Sequence, residues 1–204
     1  MIDKHTLRRT EKMKKLVFVT GNKAKASDVQ KILDFPIKIV DLDLDEIQEL
    51  NIEQVAIHKV MEAFDKIKSP VFVDDVGLYI DAWNNFPGPL IKWILKAGGE
   101  KGSSVLLKML DKVKNRKATA KLVVAYHDGK SVHCFLGEAR GTISNKIRAG
   151  NNFGFGWDSV FIPEGLDKTY GEMTFEEKNL ISHRRKAFDK FKLFLDSQKK
   201  QKEL

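Results

Sequence analysis

Residues 16–25 read Leu-Val-Phe-Val-Thr-Gly-Asn-Lys-Ala-Lys, and this stretch predicts a buried strand that turns sharply into a helix. The continuous apolar run is typical of a buried strand. Gly21 allows a close backbone approach, and the N-terminus of the following helix carries unpaired N–H groups and partial positive charge. We therefore expect an anion site at this corner, with Lys25 adding a full charge. The spacing is not that of a Walker A loop, so an ordinary strand–turn–helix corner stays open as an alternative.

The rest of the chain alternates strands and helices and then forms a hairpin. The predicted helices cover residues 23–33, 52–67, 90–96, 103–113 and 183–196. The predicted strands cover residues 16–20, 37–40, 71–73, 78–80, 118–126, 131–141 and 159–162. Asp128-Gly129 between two strand-like runs is a hairpin signal. This order predicts an α/β domain with a mixed sheet, and a ligand cleft between the early part and the hairpin part.

Composition and charge favour one globular domain. The chain has 204 residues, of which 42% are hydrophobic and 31% charged, so a sizeable core can form. Of the net charge of +8, residues 1–15 carry +4 and residues 197–204 carry +2. We predict a basic extension over 1–14, one two-lobed domain over 15–196 and a basic tail over 197–204. A nucleic-acid binder usually carries its charge on a folded face, so nucleic-acid binding is the less favoured alternative.

Cysteine use and hydropathy bear on the compartment. The single cysteine, Cys134, excludes an internal disulfide and a multi-cysteine metal site. No apolar run approaches the roughly 20 residues that span a bilayer, and the first 15 residues lack the apolar centre of a secretory signal. We expect a cytoplasmic protein without membrane contact. Four histidines show no partner at zinc-ligand spacing: His5, His58, His127 and His133.

The acid pair Asp74-Asp75 follows a predicted strand. Adjacent side chains of an extended strand point to opposite faces, so one carboxylate can face the cleft. Magnesium prefers oxygen ligands, often one or two carboxylates plus substrate phosphates. Asp75 together with Glu46 would meet that need, and solvated turn acids are the alternative. The acidic loop also offers rival ligands, which are Asp41, Asp43, Asp45 and Glu49.

Phe155-Gly156-Trp157-Asp158 is the most specific local signal for a base. An aromatic ring can stack on a heterocycle, glycine lets main-chain groups reach its edge, and a carboxylate can accept from a ring N–H. Nearby, Ser182 predicts the N-cap of the last helix, which gathers three side chains at one turn. These side chains are Lys178, His183 and Arg184. A glycine-rich turn with core aromatics, and simple capping with surface charge, are the alternatives.

Two further lysines, Lys59 and Lys92, lie on predicted helices from which they could reach phosphates. A solvated lysine is the commoner case. Cations at one end and aromatics with glycine at the other nevertheless favour a nucleotide as the ligand.

These residues together resemble the inosine triphosphate pyrophosphatases, which remove non-standard purine nucleoside triphosphates. The resemblance covers about residues 16–195 and rests on the order and spacing of five motifs. The motifs are Thr20-Gly21-Asn22 with Lys25, Asp74-Asp75 before Gly77-Leu78, Pro87-Gly88-Pro89, Phe155-Gly156-Trp157-Asp158, and Ser182-His183-Arg184. The chain departs from the family pattern at Val76, where a serine or threonine is common, and at Leu90, where an aromatic is common.

The resemblance implies an elongated two-lobed α/β fold around a long mixed β-sheet with a central cleft, and a homodimer. It implies hydrolysis of ITP, dITP and XTP to nucleoside monophosphate and pyrophosphate with Mg²⁺, for which Mn²⁺ is a possible substitute. Glu46 and Asp75 would bind the metal, and Asp75 would also activate water. The implied substrate-binding residues are Thr20, Gly21, Asn22, Lys23, Ala24, Lys25, Lys59, Asp75, Lys92 and Lys178 on the phosphate side, and Phe155, Gly156, Trp157, Asp158, Ser182, His183 and Arg184 on the base side. The alternative function is that of a related pyrophosphatase with another base preference.

Overall fold

One mixed β-sheet forms the frame of the fold. The computed structural model describes residues 16–33, 35–99, 102–150 and 156–202, so the predicted extension over residues 1–14 and Phe155 lie outside the described residues. The strands are β1 (Leu16–Val19), β2 (Ile37–Val40), β3 (Val71–Ile80), β4 (Pro87–Gly88), β5 (Lys117–His127), β6 (Val132–Ile143) and β7 (Phe161–Pro163). The helices are α1 (Lys23–Ile32), α2 (Ile52–Ile67), α3 (Ile91–Ala97), α4 (Gly102–Met109), α5 (Phe175–Ile181) and α6 (His183–Lys202).

The sheet has the strand order β2-β1-β3-β5-β6-β7, with β4 paired to β3. β1 runs parallel to β2 and to β3, whereas β3 to β7 pair with antiparallel neighbours. The predicted α/β class, the mixed sheet and the hairpin around Asp128-Gly129 are therefore confirmed. Among the described helices, none is long and apolar enough to cross a membrane.

Two predicted elements end elsewhere than expected. The strand predicted over residues 71–73 continues to Ile80, because β5 supplies backbone partners from Val71↔His127 to Ile80↔Ala118. The acid pair therefore lies in the middle of a central strand instead of at its end. At the other end of the chain, the helix predicted to end at residue 196 continues through Lys202.

β3 contributes side chains to three hydrophobic cores, and its alternation explains how. Phe72 packs on one face with α1 and α6, whereas Val71 and Val73 pack on the other face against α2. Farther along, Leu78 and Ile80 belong to a third core that includes α4 and the segment before α5. Residues 74–76 thus lie at the junction between these cores, which places the polar side chains of Asp74 and Asp75 there.

Candidate functional site

A cleft of about 870 Å³ opens at this junction. It is bounded by the end of β1, the acidic loop after β2, the middle of β3, α3 and the turn after residue 155. The predicted site residues that line it are Thr20, Gly21, Asn22, Lys25, Glu46, Lys59, Asp75, Lys92, Gly156 and Trp157. Other predicted residues lie outside the lining, which are Lys23, Asp158, Lys178, Ser182, His183 and Arg184. The side chain of Ala24 lies outside the described part of the chain.

The corner after β1 is closed by local hydrogen bonds. The Lys25 N–H donates to Asn22 Oδ1 at 3.1 Å, so Asn22 caps α1 as the side chain of an N-cap does. The Asn22 N–H donates in turn to Thr20 Oγ1 at 3.1 Å. A Cβ at Gly21 would lie 2.7 Å from Asp41 Oδ1. Glycine therefore leaves room for the Asp41 carboxylate at this corner, which a larger residue would displace.

Asp74 and Asp75 face opposite sides of the sheet and meet different cations. Asp74 Oδ1 lies 3.0 Å from Lys25 Nζ, and its side chain is only 1% exposed. Arg184 Nη2 lies 3.8 Å from the other Asp74 oxygen. Asp75 Oδ2 lies 2.9 Å from Lys59 Nζ. The alternation of one extended strand thus gives each carboxylate its own basic partner.

Glu46 and Asp75 converge on one cation. The Lys59 ammonium that contacts Asp75 also lies 3.2 Å from Glu46 Oε1. The second Glu46 oxygen pairs with Lys92. Because the Glu46 and Asp75 carboxylates lie close enough to share the Lys59 ammonium, they could also bind a metal cation between them.

Cations gather along the cleft. Partial burial, followed by the charges of Lys96 and Lys25, lowers the pKa of Lys92. Lys96 itself lines the cleft beside Trp93. Because these ammonium groups raise one another's electrostatic energy, a polyanion bound among them would relieve that repulsion.

A second polar cluster lies behind Trp157. Its ring and the His183 ring have centroids 6.4 Å apart and planes inclined by 25°. Asp158 forms an ion pair with Lys178, and Arg184 Nη1 lies 2.9 Å from Asp28 Oδ2. Sequence reasoning missed Asp28, although it lies three positions after Lys25 and therefore on the same face of α1.

Three atoms of this cluster are buried and have no hydrogen-bond partner in the described part of the chain. They are Trp157 Nε1, His183 Nδ1 and Arg184 Nε. Burial, followed by the charges of Arg184 and Lys178, lowers the pKa of His183 well below its ordinary value, so its ring is neutral near pH 7. Buried polar atoms normally find a partner. A hydrogen-bonding ligand at the Trp157 end of the cleft would supply such partners.

The start of α6 is held against β6 by direct backbone contact. As predicted for an N-cap, Ser182 Oγ accepts from the Arg185 N–H at 3.1 Å. A Cβ at Gly137 of β6 would lie 2.0 Å from the His183 carbonyl oxygen. Sequence reasoning also missed Gly137, because only the packed structure brings it to the turn that carries His183 and Arg184.

A further group of potential ligands lies beside the acidic loop. One side-chain atom each from Asp45, His58 and Glu62 lies within 4.8 Å of the others, an arrangement that can hold a divalent cation. The expectation that His58 lacks such partners is therefore wrong. Glu62 already accepts from Lys66 at 2.7 Å and from the Asp45 N–H at 2.8 Å.

Comparison with known proteins identifies the family. The Ham1 family profile matches residues 16–194. The chain belongs to the Ham1 family. Two solved Ham1 structures have the same fold. The Coxiella burnetii protein has a TM-score of 0.77 and 26% sequence identity, and the match covers 90% of this chain and 98% of that one. The Staphylococcus aureus protein has a TM-score of 0.76 and 27% sequence identity, and the match covers 90% of this chain and 100% of that one.

Curated relatives of this Ham1 chain carry enzyme names. A protein of Scheffersomyces stipitis named inosine triphosphate pyrophosphatase is 41% identical over 201 residues, which cover 91% of this chain and 100% of the relative. A protein of Saccharolobus solfataricus named dITP/XTP pyrophosphatase is 38% identical over 186 residues, or 90% and 94% of the two chains.

Proposed function

We propose that this Ham1-family protein hydrolyses ITP, dITP and XTP to the nucleoside monophosphate and pyrophosphate. One observation carries the proposal: a single cleft has paired carboxylates and lysines at one end and Trp157 at the other. Buried donors without partners among the described residues, Trp157 Nε1 and Arg184 Nε, lie at the Trp157 end. The names of the relatives support the same reaction.

The phosphates bind at the end bounded by the corner after β1. The first turn of α1 presents N–H groups and positive partial charge to anions. Lys25, Lys59 and Lys92 add three full charges around the same space. Negative charge spreads over the phosphate oxygens in the transition state, so cations fixed in advance stabilise it more than they stabilise the bound substrate.

Asp75 and Glu46 fit a divalent metal ion. Their carboxylates already share one cation, at 2.9 Å and 3.2 Å from Lys59 Nζ, and carboxylates are the protein ligands that Mg²⁺ favours. When bound there, Mg²⁺ or Mn²⁺ would supply positive charge to the phosphate oxygens. Asp75 accepts a proton from the attacking water, and Lys59 holds the Asp75 carboxylate in the orientation for this transfer. The water oxygen forms a bond to the α-phosphorus, the bond between this phosphorus and the α–β bridging oxygen breaks, and pyrophosphate leaves on the lysine side.

Base selection is assigned to the cluster behind Trp157. Arg184 Nε is a donor without a partner among the described residues. Hypoxanthine and xanthine carry a 6-oxo acceptor, whereas adenine carries a 6-amino donor. With ATP bound, the 6-amino donor of adenine would face the buried Arg184 Nε donor, and neither could accept a hydrogen bond from the other. Sites that pair a donor with a substrate acceptor reject an analogue lacking the acceptor by about 10⁴-fold.

The test is a nucleotide panel with product identification. Purified protein with Mg²⁺ is assayed on ITP, dITP, XTP, GTP, ATP and pyrimidine triphosphates, and pyrophosphate and orthophosphate are measured separately. The proposal predicts pyrophosphate release from the first three at much higher kcat/KM than from ATP. Equal rates on all purines would contradict the selectivity, orthophosphate release would contradict the cleavage position, and preference for a pyrimidine would establish the alternative function.

The proposal also includes a cytoplasmic homodimer. Light scattering is then expected to give twice the 23.3 kDa mass of the chain, and a value for one chain would contradict it.

A further inference from the structure

Ser103, in the first turn of α4, ties both ends of the turn formed by residues 156–159. Its Oγ donates to the Gly156 carbonyl at 3.1 Å. Ser159 Oγ donates to Ser103 Oγ, also at 3.1 Å. Both serines are buried, at 7% and 6% exposure. The two residues enclosed between these hydrogen bonds are Trp157 and Asp158, which carry the predicted base side of the site.

The two ends of this turn are held differently. Beyond Asp158, the Gly171 N–H donates to the Asp158 carbonyl at 2.8 Å, and the Val160 N–H donates to the Trp157 carbonyl at 3.0 Å. At the start of the turn, Gly156 has a left-handed φ of 64°, a conformation that glycine adopts without steric penalty. Within the described residues, the contact that holds the Gly156 carbonyl is the Ser103 hydroxyl.

We propose that Ser103 is a positioning residue for base recognition, a role that rests on the proposed function. Its hydroxyl sets the start of the turn relative to α4 and thereby orients Trp157 and Asp158. Ser159 donates to the same hydroxyl. The Ser103 Oγ therefore accepts one hydrogen bond and donates another, and the two bonds together fix its orientation. In the described part of the chain the Ser103 hydroxyl hydrogen-bonds with Gly156 and Ser159, so we expect the lysine end of the cleft to be little affected by its loss.

Loss of the hydroxyl removes both hydrogen bonds, and with them the contact that holds the exposed Gly156 at the start of the turn. A small displacement of a binding group is enough to weaken recognition measurably. We expect Ser103→Ala to raise KM for ITP about five- to ten-fold with kcat changed less than about two-fold. Tripolyphosphate, which has no base, should inhibit Ser103→Ala and the unaltered protein with the same inhibition constant.

The set of variants separates positioning from a general loss of stability. Ser159→Ala should raise KM less than Ser103→Ala, because the bond from Ser103 to Gly156 remains. The double variant should match Ser103→Ala alone, since residues that share one network are not additive. Ser103→Thr keeps the hydroxyl and should restore most of the affinity. Ser197→Ala, which removes a hydroxyl donating to the Phe194 carbonyl at 2.7 Å on α6, is the matched control and should leave KM unchanged.

A readout without turnover completes the test. In a Trp83→Phe/Trp93→Phe background, Trp157 is the remaining tryptophan, and adding Ser103→Ala should increase its quenching by acrylamide. An unchanged KM together with unchanged quenching in Ser103→Ala would overturn the role of Ser103. A rise in the tripolyphosphate constant equal to the rise in KM would also overturn it. Absence of ITP hydrolysis by the unaltered protein would instead overturn the proposed function, while the quenching result would still decide how the turn is held.

Discussion

At the scale of single residues, the acid pair on β3 separates two tasks. Asp74 is buried between Lys25 and Arg184, whereas Asp75 faces Lys59 and the cleft. That the two carboxylates point to opposite faces follows from the sequence, because the alternation of a strand requires it. Their partners could not be predicted, since Lys25 and Arg184 come from opposite ends of the chain and meet only after folding.

Asp75→Asn should remove most of the activity and preserve the fold. The amide cannot accept a proton from water as a carboxylate does, so kcat for ITP is expected to fall about 10²- to 10⁴-fold. Asp81→Asn is the matched control, because Asp81 is exposed just beyond the end of the same strand. Circular dichroism and steady-state kinetics on both variants provide the measurement. Retention of more than half the activity by Asp75→Asn would assign the base elsewhere.

Lys25→Met should destabilise the protein more than Lys59→Met does. Removing Lys25 leaves Asp74, whose side chain is 1% exposed, without its closest cation, and breaking a buried pair costs about 3 kcal/mol. Asp75, at 14% exposure, retains more contact with water when Lys59 is removed. Urea unfolding measures the difference.

The control for these lysine variants is Lys168→Met. Lys168 pairs with Glu177 at the surface, where an ion pair contributes about 0–1 kcal/mol. An equal loss of stability in all three variants would contradict the prediction that the buried Lys25–Asp74 pair contributes more to stability than the other two pairs.

At the scale of elements, the contact between α6 and β6 positions the base side. The prediction of a helix beginning after Ser182 is confirmed, because N-cap chemistry is local. Where this helix packs was not predictable, since its contact residue, Gly137, is a strand glycine that no motif distinguishes. Asp28 and Arg184 illustrate the same limit, because they pair across 156 positions of sequence.

Gly137→Ala should displace the start of α6. The new Cβ would lie 2.0 Å from the His183 carbonyl, so the helix must move, and overpacking of this kind costs roughly 1–3 kcal/mol. We expect a higher KM for ITP and a reduced preference over ATP. Leu195→Ala, near the other end of the same helix, should lose comparable stability with unchanged preference. The same preference in both variants would show that Gly137 has no part in positioning His183 and Arg184.

The β5–β6 hairpin should show a stability difference that depends on pH. Partial burial opposes ionisation of Asp128, but N–H groups of Ser131 and Lys130 and the His133 side chain hold its pKa down to about 2, from 3.8. A carboxyl with a depressed pKa stabilises the fold above its unfolded pKa, and this contribution disappears as pH falls from about 4 to about 2.

Asp128→Asn is therefore expected to be less stable than the unaltered protein at pH 7 by on the order of 1 kcal/mol, because solvent screens this turn. The two proteins should become equal near pH 2. Urea unfolding at several pH values measures this, and a difference that does not vary with pH would refute the assignment.

At the scale of the whole molecule, one long strand contributes to three cores and places the cleft at their junction. The alternation of strands and helices followed by a hairpin was sufficient to predict the α/β class and a cleft. The continuation of β3 past two charged residues was not predicted, because aspartate is uncommon in strands. In the folded chain, ten paired positions on β5 and cations on both faces outweigh that tendency, and both depend on distant parts of the sequence.

Removal of residues 1–14 distinguishes a hydrolase from a nucleic-acid-binding module. Residues 1–14 hold five basic and two acidic residues and so carry +3 of the net charge of +8. A binder that relies on them should lose affinity and salt dependence together. We expect kcat/KM for ITP to change less than about two-fold, because the cleft is built from residues 19–157. A large loss of turnover on truncation would give the extension a direct role in the reaction.

The most direct measurement is a crystal structure of the Asp75→Asn variant with ITP and Mg²⁺. The purine ring should lie beside Trp157 with its 6-oxo edge toward Arg184, the phosphates should lie among Lys25, Lys59 and Lys92, and the metal should contact Glu46 and residue 75. A ring bound far from Trp157 and Arg184, or a metal remote from residue 75, would contradict the account.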